Sequence, residues 1–340
     1  MRAAYNEGVG RWPPLVCALV LSACGFKVVA ESPPVDASTD AVADAALDAP
    51  LDAGPYLCDP AICLAAGGTC DAAGFCVIAS NATTAVVCPS GLHCDIRCVG
   101  GTACQAGVDC SQAAGCKVLC DGSNACNQAL LRCGGEFCDI TCKTGAACSQ
   151  GVECTATDRC TIACDGQNTC QNGPVTCGGK ACTVTCMTGA ACSSGVECTA
   201  GACDIACLGQ NTCQNNGVGC SGKICKVRCM TGAACSDGVR CTASNRCDIG
   251  CSGQNVCQNN GVECSGIDCV VDCDGASACA SGVDCTATGT CDVECNGSNT
   301  CGSSVQCAAT TCTTHCCGTS ACASNTCSID PVCADDAICD

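Results

Sequence analysis

Aromatic side chains are nearly absent from this 340-residue chain, which has one Trp, two Tyr and three Phe. Leu, Ile and Phe are sparse, so that the apolar 48 % of the residues consists mostly of Ala, Val and Cys. Such a composition cannot supply a large aliphatic and aromatic core. It also lacks the exposed rings on which sugar-cleaving enzymes stack their substrates.

Positive charge is scarce as well, since 14 Lys and Arg face 32 Asp and Glu, for a net charge of −18. Nucleic-acid recognition needs a basic face, and a binder of the phosphate backbone is therefore excluded. The only histidines, His93 and His315, lie in no metal-like or triad-like pattern, and no Cys-x-x-Cys-His motif occurs. We therefore expect no enzymatic activity, no cofactor and no metal site.

No apolar run approaches the ~20 residues that a transmembrane helix requires. The apolar segment Leu15–Leu21 is short, follows the basic residues Arg2 and Arg11, and precedes small residues. This order predicts an export signal over residues 1–23.

The segment Leu21-Ser22-Ala23-Cys24-Gly25 resembles the lipobox of bacterial lipoproteins. In that family the cysteine is diacylated and becomes the mature N-terminus, which implies lipidation of Cys24. A residue other than Asp after the cysteine, here Gly25, accompanies sorting to the outer membrane. The resemblance implies an exported protein anchored by lipid in the cell envelope, at the outer membrane or cell surface.

Residues 24–57 continue as a stretch rich in Ala, Asp and Pro that has no cysteine after Cys24. It shows no usable hydrophobic periodicity, and it is interrupted by Pro50 and Pro55. This composition predicts a lipidated N-terminus followed by a disordered, charge-extended tether.

Cysteine is the abundant residue, at 54 positions, well above the level that marks disulfide scaffolds. Thiols at this density form bridges in oxidising compartments, which agrees with export. Loss of Cys17 with the signal and lipidation of Cys24 leave an even number of cysteines for pairing.

A small cysteine-rich module is predicted at residues 58–80, where Cys58, Cys63, Cys70 and Cys76 are spaced as in the front half of EGF-like or Dickkopf-type modules. Cysteines of those families pair first to third and second to fourth. The resemblance therefore implies the bridges Cys58–Cys70 and Cys63–Cys76. The third EGF bridge and the acidic calcium-binding lead-in are missing, so we interpret the module as a cap or spacer.

From Cys94 onward the chain repeats Cys-x3-Cys-x5-Cys-x5/6-Cys eleven times, with a period of about 22 residues. Within each block, Cys-x-Ile/Val-x-Cys and Val-x-Cys segments alternate inward and outward positions with period two. Three short strands joined by corners would make each block one coil of a parallel β-helix. We predict an all-β, disulfide-linked solenoid over residues 88–327 and a C-terminal cap over 328–340. Candidate bridge cysteines in representative blocks are Cys138, Cys142, Cys148, Cys154, Cys182, Cys186, Cys192 and Cys198.

The pairing of these cysteines stays open at the level of sequence. Two cysteines four residues apart in one strand are ~13 Å apart and cannot bridge. Bridges across a coil and bridges between coils ~4.8 Å apart both remain possible. Blocks of the Gly-Ala-Ala-Cys and Gly-Gln-Asn-x-Cys types also alternate, giving a period of about 44 residues. An array of small disulfide-rich beads of that length is the alternative architecture.

The lipobox, the Asp/Ala tether and the cysteine repeats are similar to those of uncharacterised cysteine-rich lipoproteins common in myxobacteria, a likeness that implies no activity. We expect a rigid, protease-resistant structural or adhesive surface element. The alternative is a module that binds an extracellular polymer or a cell-surface partner through its outward column. Ice binding is disfavoured because outward Thr residues recur only in alternate coils. Metal-thiolate storage is disfavoured because Cys alternates with Ile and Val within the strands. The outward column comprises Asp109, Arg132, Glu153, Thr176, Glu197, Gly219, Arg240, Glu263, Asp284 and Gln306, and the Thr positions are Thr155, Thr199, Thr242 and Thr286.

Overall fold

The computed structural model of the protein describes residues 56–317, 320–322, 325–327 and 334–335. The predicted signal peptide, the lipidation site Cys24 and the tether up to residue 55 lie outside the described residues, as does most of the predicted cap at 328–340. The described elements are α1 (Pro60–Ala65), β1 (Thr69–Cys70), β2 (Cys76–Ser80), β3 (Val86–Val87), β4 (His93–Val99), β5 (Val108–Cys110), β6 (Gly115–Asp121), β7 (Leu131–Cys142), β8 (Val152–Cys164), β9 (Val175–Cys186), β10 (Val196–Cys207), β11 (Val218–Met230), β12 (Val239–Ser252), β13 (Val262–Asp274), β14 (Val283–Asn296), β15 (Val305–Ala308), β16 (Thr311–Cys317), β17 (Asn325–Cys327) and β18 (Ala334–Asp335).

The described chain forms a β-solenoid of about 11 turns with a spacing of about 22 residues, which confirms the predicted fold class. Each coil pairs in parallel with the next, and equivalent residues lie opposite each other. In the β10–β11 pair, for example, Cys198 lies opposite Cys220 and Ile205 opposite Val227. Because this backbone ladder continues from coil to coil, the alternative of separate disulfide-rich beads is wrong.

The period-two alternation of the sequence becomes the inside and the outside of each coil. In β8, Val152, Cys154, Cys160, Ile162 and Cys164 are buried. The residues that alternate with them within the Val-x-Cys and Cys-x-Ile-x-Cys segments are partly exposed. Stacked coils place Ile and Val in one continuous buried column, so that the modest apolar content of each coil is shared with its neighbours. Burial of one such side chain stabilises by about 1.5–3 kcal/mol.

The expectation of three short strands per coil is wrong in its detail. The Val-x-Cys segment of one block and the Cys-x-Ile-x-Cys segment of the next are one strand of 12 to 14 residues in β7 to β14. This strand bends sharply, since the Cα atoms of Cys154 and Cys160 are only 6.2 Å apart. Six extended residues would span ~20 Å. The stretch that ends on the third cysteine is a turn rather than a strand.

Each of these turns contains a cysteine in the left-handed backbone region. Cys148, Cys170 and Cys192, for example, have φ values of +53°, +51° and +52°. Non-glycine residues adopt this conformation at a cost of about 1–2 kcal/mol, so that it persists only where surrounding structure holds it. Here the turn is held by the disulfide to the preceding strand.

The small cysteine-rich module covers the first edge of the solenoid. Helix α1 begins at an N-cap, Asp59, whose side chain accepts hydrogen bonds from the backbone of Ala61 and Ile62. Strand β2 pairs antiparallel with β1 and parallel with β4, which places Ile78 opposite Ile96 in the buried column. The module therefore continues the core of the solenoid and protects an edge that would otherwise be exposed.

The 44-residue alternation has a packing cause in the turns. A Cβ added to Gly189 would lie 2.7 Å from the Cγ atom of Gln167, and one added to Gly232 would lie 3.0 Å from that of Gln210. The side chain of Gln in one coil thus lies over the glycine of the next coil. Both glycines also have positive φ values. The two types of block alternate because a large side chain needs a small neighbour in the stacked column.

Candidate functional site

Two bridges close each coil, and all of the solenoid bridges described here join cysteines five or six residues apart. One bridge spans the bend in the long strand, as in Cys154–Cys160, and the other links the strand end to the turn, as in Cys142–Cys148. Of the two pairings that the sequence left open, the structure has the pairing within a coil. The remaining representative cysteines follow the same scheme, in the bridges Cys133–Cys138, Cys177–Cys182, Cys186–Cys192 and Cys198–Cys203.

The N-terminal module has the pairing that its resemblance to EGF-like and Dickkopf-type modules implies. Cys58 is bonded to Cys70 and Cys63 to Cys76. Cys76 also opens β2, which pairs with β4. The module is therefore linked covalently within itself and by backbone hydrogen bonds to the solenoid.

The predicted outward column forms one line across the coils. Successive register pairs join its members from Asp109 and Arg132 to Asp284 and Gln306. Two ion pairs connect neighbouring coils along this line. The Nε atom of Arg132 lies 3.3 Å from a carboxylate oxygen of Glu153, and that of Arg240 lies 2.6 Å from Glu263. Both pairs are largely exposed and contribute little to stability, so their positions bear on recognition more than on folding.

A cleft of about 480 Å³ opens on the same line, and Gly219 is part of its lining. Its outward column changes from Glu197 to Gly219 to Arg240 in three consecutive coils, and the glycine leaves the gap. The carboxylate of Glu197 lies over Gly219, in the space that a Cβ there would occupy. The remaining polar groups of the lining include Asn216, Ser221, Asp237, Asn260 and Glu263.

A second, smaller cleft of about 340 Å³ repeats this chemistry near the N-terminal end of the column. Arg132 and Glu153 line it together with Ser111 and Thr155, and Gly134 and Gly135 leave the gap. Each cleft thus combines an Arg–Glu pair between coils, a neighbouring hydroxyl group and missing side chains at glycine. Such groups are suited to hydrogen bonding with a polar ligand.

Glu197 differs electrostatically from an ordinary surface carboxylate. Partial burial raises its pKa, and the nearby charge of Arg240 offsets this only in part. Glu197 therefore binds a proton more readily than a fully solvated Glu, and a hydrogen-bond donor in the cleft would favour its charged form.

The aromatic side chains in the described part of the chain lie together at the N-terminal end. Tyr56, Phe75, His93 and Phe137 contact one another, with ring centroids 3.9 Å apart for Tyr56 and His93 and 5.8 Å apart for His93 and Phe137. A Cβ on Gly115 would lie 2.5 Å from the Phe137 ring and 2.9 Å from His93, so only glycine leaves room between them. This cluster joins the small module to the first coils, and the sequence alone did not indicate it.

The stability of this cluster should depend on pH through His93. Burial lowers the pKa of His93 below 6.5, while Glu136 opposes the shift in part, and its Nε2 atom is buried without a hydrogen-bond partner. The unfolded chain therefore binds more protons at this residue, and stability falls as pH drops below 6.5. We expect denaturation followed by Tyr56 fluorescence to show a lower midpoint at pH 5 than at pH 7.5. His93→Gln should flatten this dependence, whereas a similar slope in His93→Gln and in the control His315→Gln would contradict the assignment.

Two features of the described residues bear on ice binding and on metal-thiolate storage. The outward hydroxyl line runs Thr199, Ser221, Thr242 in register but is preceded by Gly178, so it is not a uniform threonine array. Groups of three cysteine sulfurs lie within 4.8 Å of one another, and their members, such as Cys138, Cys154 and Cys160, are held in disulfides.

Comparisons with known proteins found no match for this chain among protein-family models, curated proteins or solved structures. The extensive disulfide bonding fits an exported or extracellular protein. Among the described residues, no helix has the length and apolar character needed to cross a membrane.

Proposed function

We propose that this protein is a non-enzymatic lipoprotein of the cell envelope that acts as a rigid, protease-resistant structural or adhesive element. The observation that supports this function best is the unbroken stack of coils, each closed by two buried bridges. Proteases cleave segments that open locally, and opening is restricted where turns are linked covalently to strands. The lipid on Cys24 would hold the stack at the membrane, and the acidic tether would keep it at a distance from the lipid surface.

Loss of the lipid anchor gives the direct test of this proposal. We expect the wild-type protein to fractionate with membranes and Cys24→Ala to be released. The short apolar segment of the predicted signal cannot replace the acyl chains as a membrane anchor. Both forms should resist protease on a time scale of hours and be digested after reduction. Membrane retention of Cys24→Ala, or digestion of the oxidised wild type at the rate of the reduced protein, would contradict the proposal.

The second candidate function is binding of an extracellular polysaccharide, which the cleft at Gly219 favours. A cleft of about 480 Å³ is within the size range of small-ligand sites, and this one offers carboxylate, guanidinium, amide and hydroxyl groups. The smaller cleft on the same line would supply a second contact for a long polymer, and two linked contacts raise the overall affinity.

Displacing the Glu197 carboxylate should weaken such binding without changing the charge. In Gly219→Ala the new Cβ overlaps the Glu197 carboxylate and displaces it. We expect retention on a panel of envelope polysaccharides to fall about tenfold, and a similar loss in Glu197→Gln and Glu153→Gln, because a hydrogen bond to a charged group contributes about 1.5–3 kcal/mol.

Gly250→Ala is the matched control for Gly219→Ala, since a Cβ at position 250 meets nothing within 4 Å. It should bind as the wild type does. Equal retention of Gly219→Ala, Gly250→Ala and wild type on every polysaccharide would remove the binding function and leave the structural one.

A further inference from the structure

The bridges of successive coils come close enough to react with each other. The Sγ atom of Cys160 lies within 4.8 Å of those of Cys177 and Cys182, which form the next bridge along the stack. The same spacing recurs one coil earlier, between Cys138 and the Cys154–Cys160 bridge. The bridges between strands and turns repeat it, since Cys98 lies within 4.8 Å of the bonded pair Cys120–Cys126.

We propose that the two columns of stacked bridges are thiol–disulfide exchange chains, along which an unpaired thiol migrates from coil to coil. In each step a thiolate attacks one sulfur of the neighbouring bridge. A new disulfide forms between coils, the attacked bridge breaks, and its second sulfur leaves as a thiolate. One disulfide and one thiolate are present before and after the step, so no external oxidant or reductant is consumed.

The products of such a step are compatible with the backbone as it stands. Cys160 and Cys182 lie opposite each other in the parallel β8–β9 pair. Neighbouring strands are ~4.8 Å apart, which is within the Cα separation that a disulfide accepts. The pairing between coils that the sequence left open is therefore available as a transient bond, while pairing within each coil is the resting state.

Repetition keeps the successive steps nearly equal in energy. Cys160, Cys177 and Cys182 are at most 3 % exposed, and each lies opposite another cysteine in the adjoining coil. Burial in apolar surroundings raises the pKa of a thiol and makes each step slow. The rate should therefore rise about tenfold per pH unit below the pKa of the thiol, in proportion to the thiolate fraction.

The chains are open to solution mainly near the ends of the described chain. Cys316 is partly exposed and is bonded to Cys322, whereas the interior bridges are almost fully buried. A small external thiol can attack such an end bridge, which leaves a mixed disulfide on one cysteine and a thiolate on the other. Exchange then lets the free thiol left by a broken bridge move to the neighbouring coil or back to an end of the column. There an external disulfide can oxidise it again.

Two single substitutions, one at each cysteine of the same bridge, test the chains. Cys154→Ser leaves Cys160 without its partner, next to the Cys177–Cys182 bridge and to Cys138 of the preceding bridge. Cys160→Ser leaves Cys154 without its partner, next to Cys138 of the preceding bridge. Each variant is incubated at pH 8.5, quenched in acid, alkylated while denatured and mapped by mass spectrometry without reduction.

We expect the majority of the unpaired thiol to leave its original position with time. It should appear first on Cys177, Cys182 or Cys133 in Cys154→Ser and first on Cys133 in Cys160→Ser, together with new disulfides between coils. The double variant Cys154→Ser/Cys160→Ser has no lone thiol at this bridge and should keep the other described bridges. Its circular dichroism reports whether the fold tolerates the loss of one bridge.

A thiol that stays on Cys160 or Cys154 at all times would overturn the proposal, and so would a rate independent of pH. If the single variants do not fold, the wild-type protein is treated with a substoichiometric pulse of glutathione. Mixed disulfides and free thiols confined to the attacked bridge would then overturn the proposal, whereas free thiols spread over adjoining coils would support it.

Discussion

Complete reduction of the disulfides is expected to abolish the β-solenoid. In the chain-entropy model, a bridge that closes a loop of about six residues stabilises by about 2 kcal/mol. Two bridges per coil therefore stabilise the fold by about as much as the burial of the two apolar side chains of that coil, a Val and a second residue that is Ile or Val. Without bridges, the left-handed cysteine turns also lose the bond that holds them.

The measurement is far-UV circular dichroism of the protein after reduction in denaturant, alkylation and return to buffer. We expect loss of the β-sheet signal, while protein alkylated without reduction should show no thermal transition below about 90 °C. Reductant alone should act slowly, because the interior sulfurs are buried. A spectrum that returns unchanged after reduction and alkylation would mean that backbone ladders and aliphatic columns suffice for the fold.

A charge placed in the Ile/Val column is expected to have the next largest effect. Ile162 is 1 % exposed and lies between Ile140 and Val184 of the adjoining coils, so Ile162→Asp buries a carboxylate with no partner. The cost should be about 4 kcal/mol or more. Because the bridges keep each coil closed, we expect local opening of β7, β8 and β9 rather than global unfolding.

Ala163→Asp is the matched control, since position 163 faces the opposite side of the same strand and lies between Thr141 and Thr185. Amide hydrogen exchange should be faster across β7 to β9 in Ile162→Asp and unchanged in Ala163→Asp. Equal protection of the two variants would show that the inward and outward assignment of this strand is wrong.

Inward and outward positions were predictable from the sequence because a strand has a strict period of two. The trio Cys160, Ile162 and Cys164 shows this directly, as all three are buried. The same geometry correctly excluded a bridge between Cys160 and Cys164. The sequence did not predict that two short strands join into one bent strand. The alternation of buried and exposed residues continues through the bend and does not mark its position.

The clefts and the aromatic cluster were beyond prediction for a different reason. The sequence predicts that Glu197, Gly219 and Arg240 share an outward column. The glycine indicates a gap in that column only when the position of the Glu197 side chain is known. Tyr56, Phe75 and Phe137 belong to three separate segments of the chain. Their contact requires the small module to lie on the first coils, which no local pattern encodes.

The coil length, the buried columns and the oxidised character of the protein are predictable from the spacing of residue types along one strand. The pairing of the cysteines is not, and it is known only from the folded coils. Partners six residues apart within a coil and partners in adjacent coils both satisfy the separation that a disulfide requires. The bend within each long strand brings the Cα atoms of Cys154 and Cys160 to 6.2 Å, and the alternation of residue types along the strand does not mark that bend.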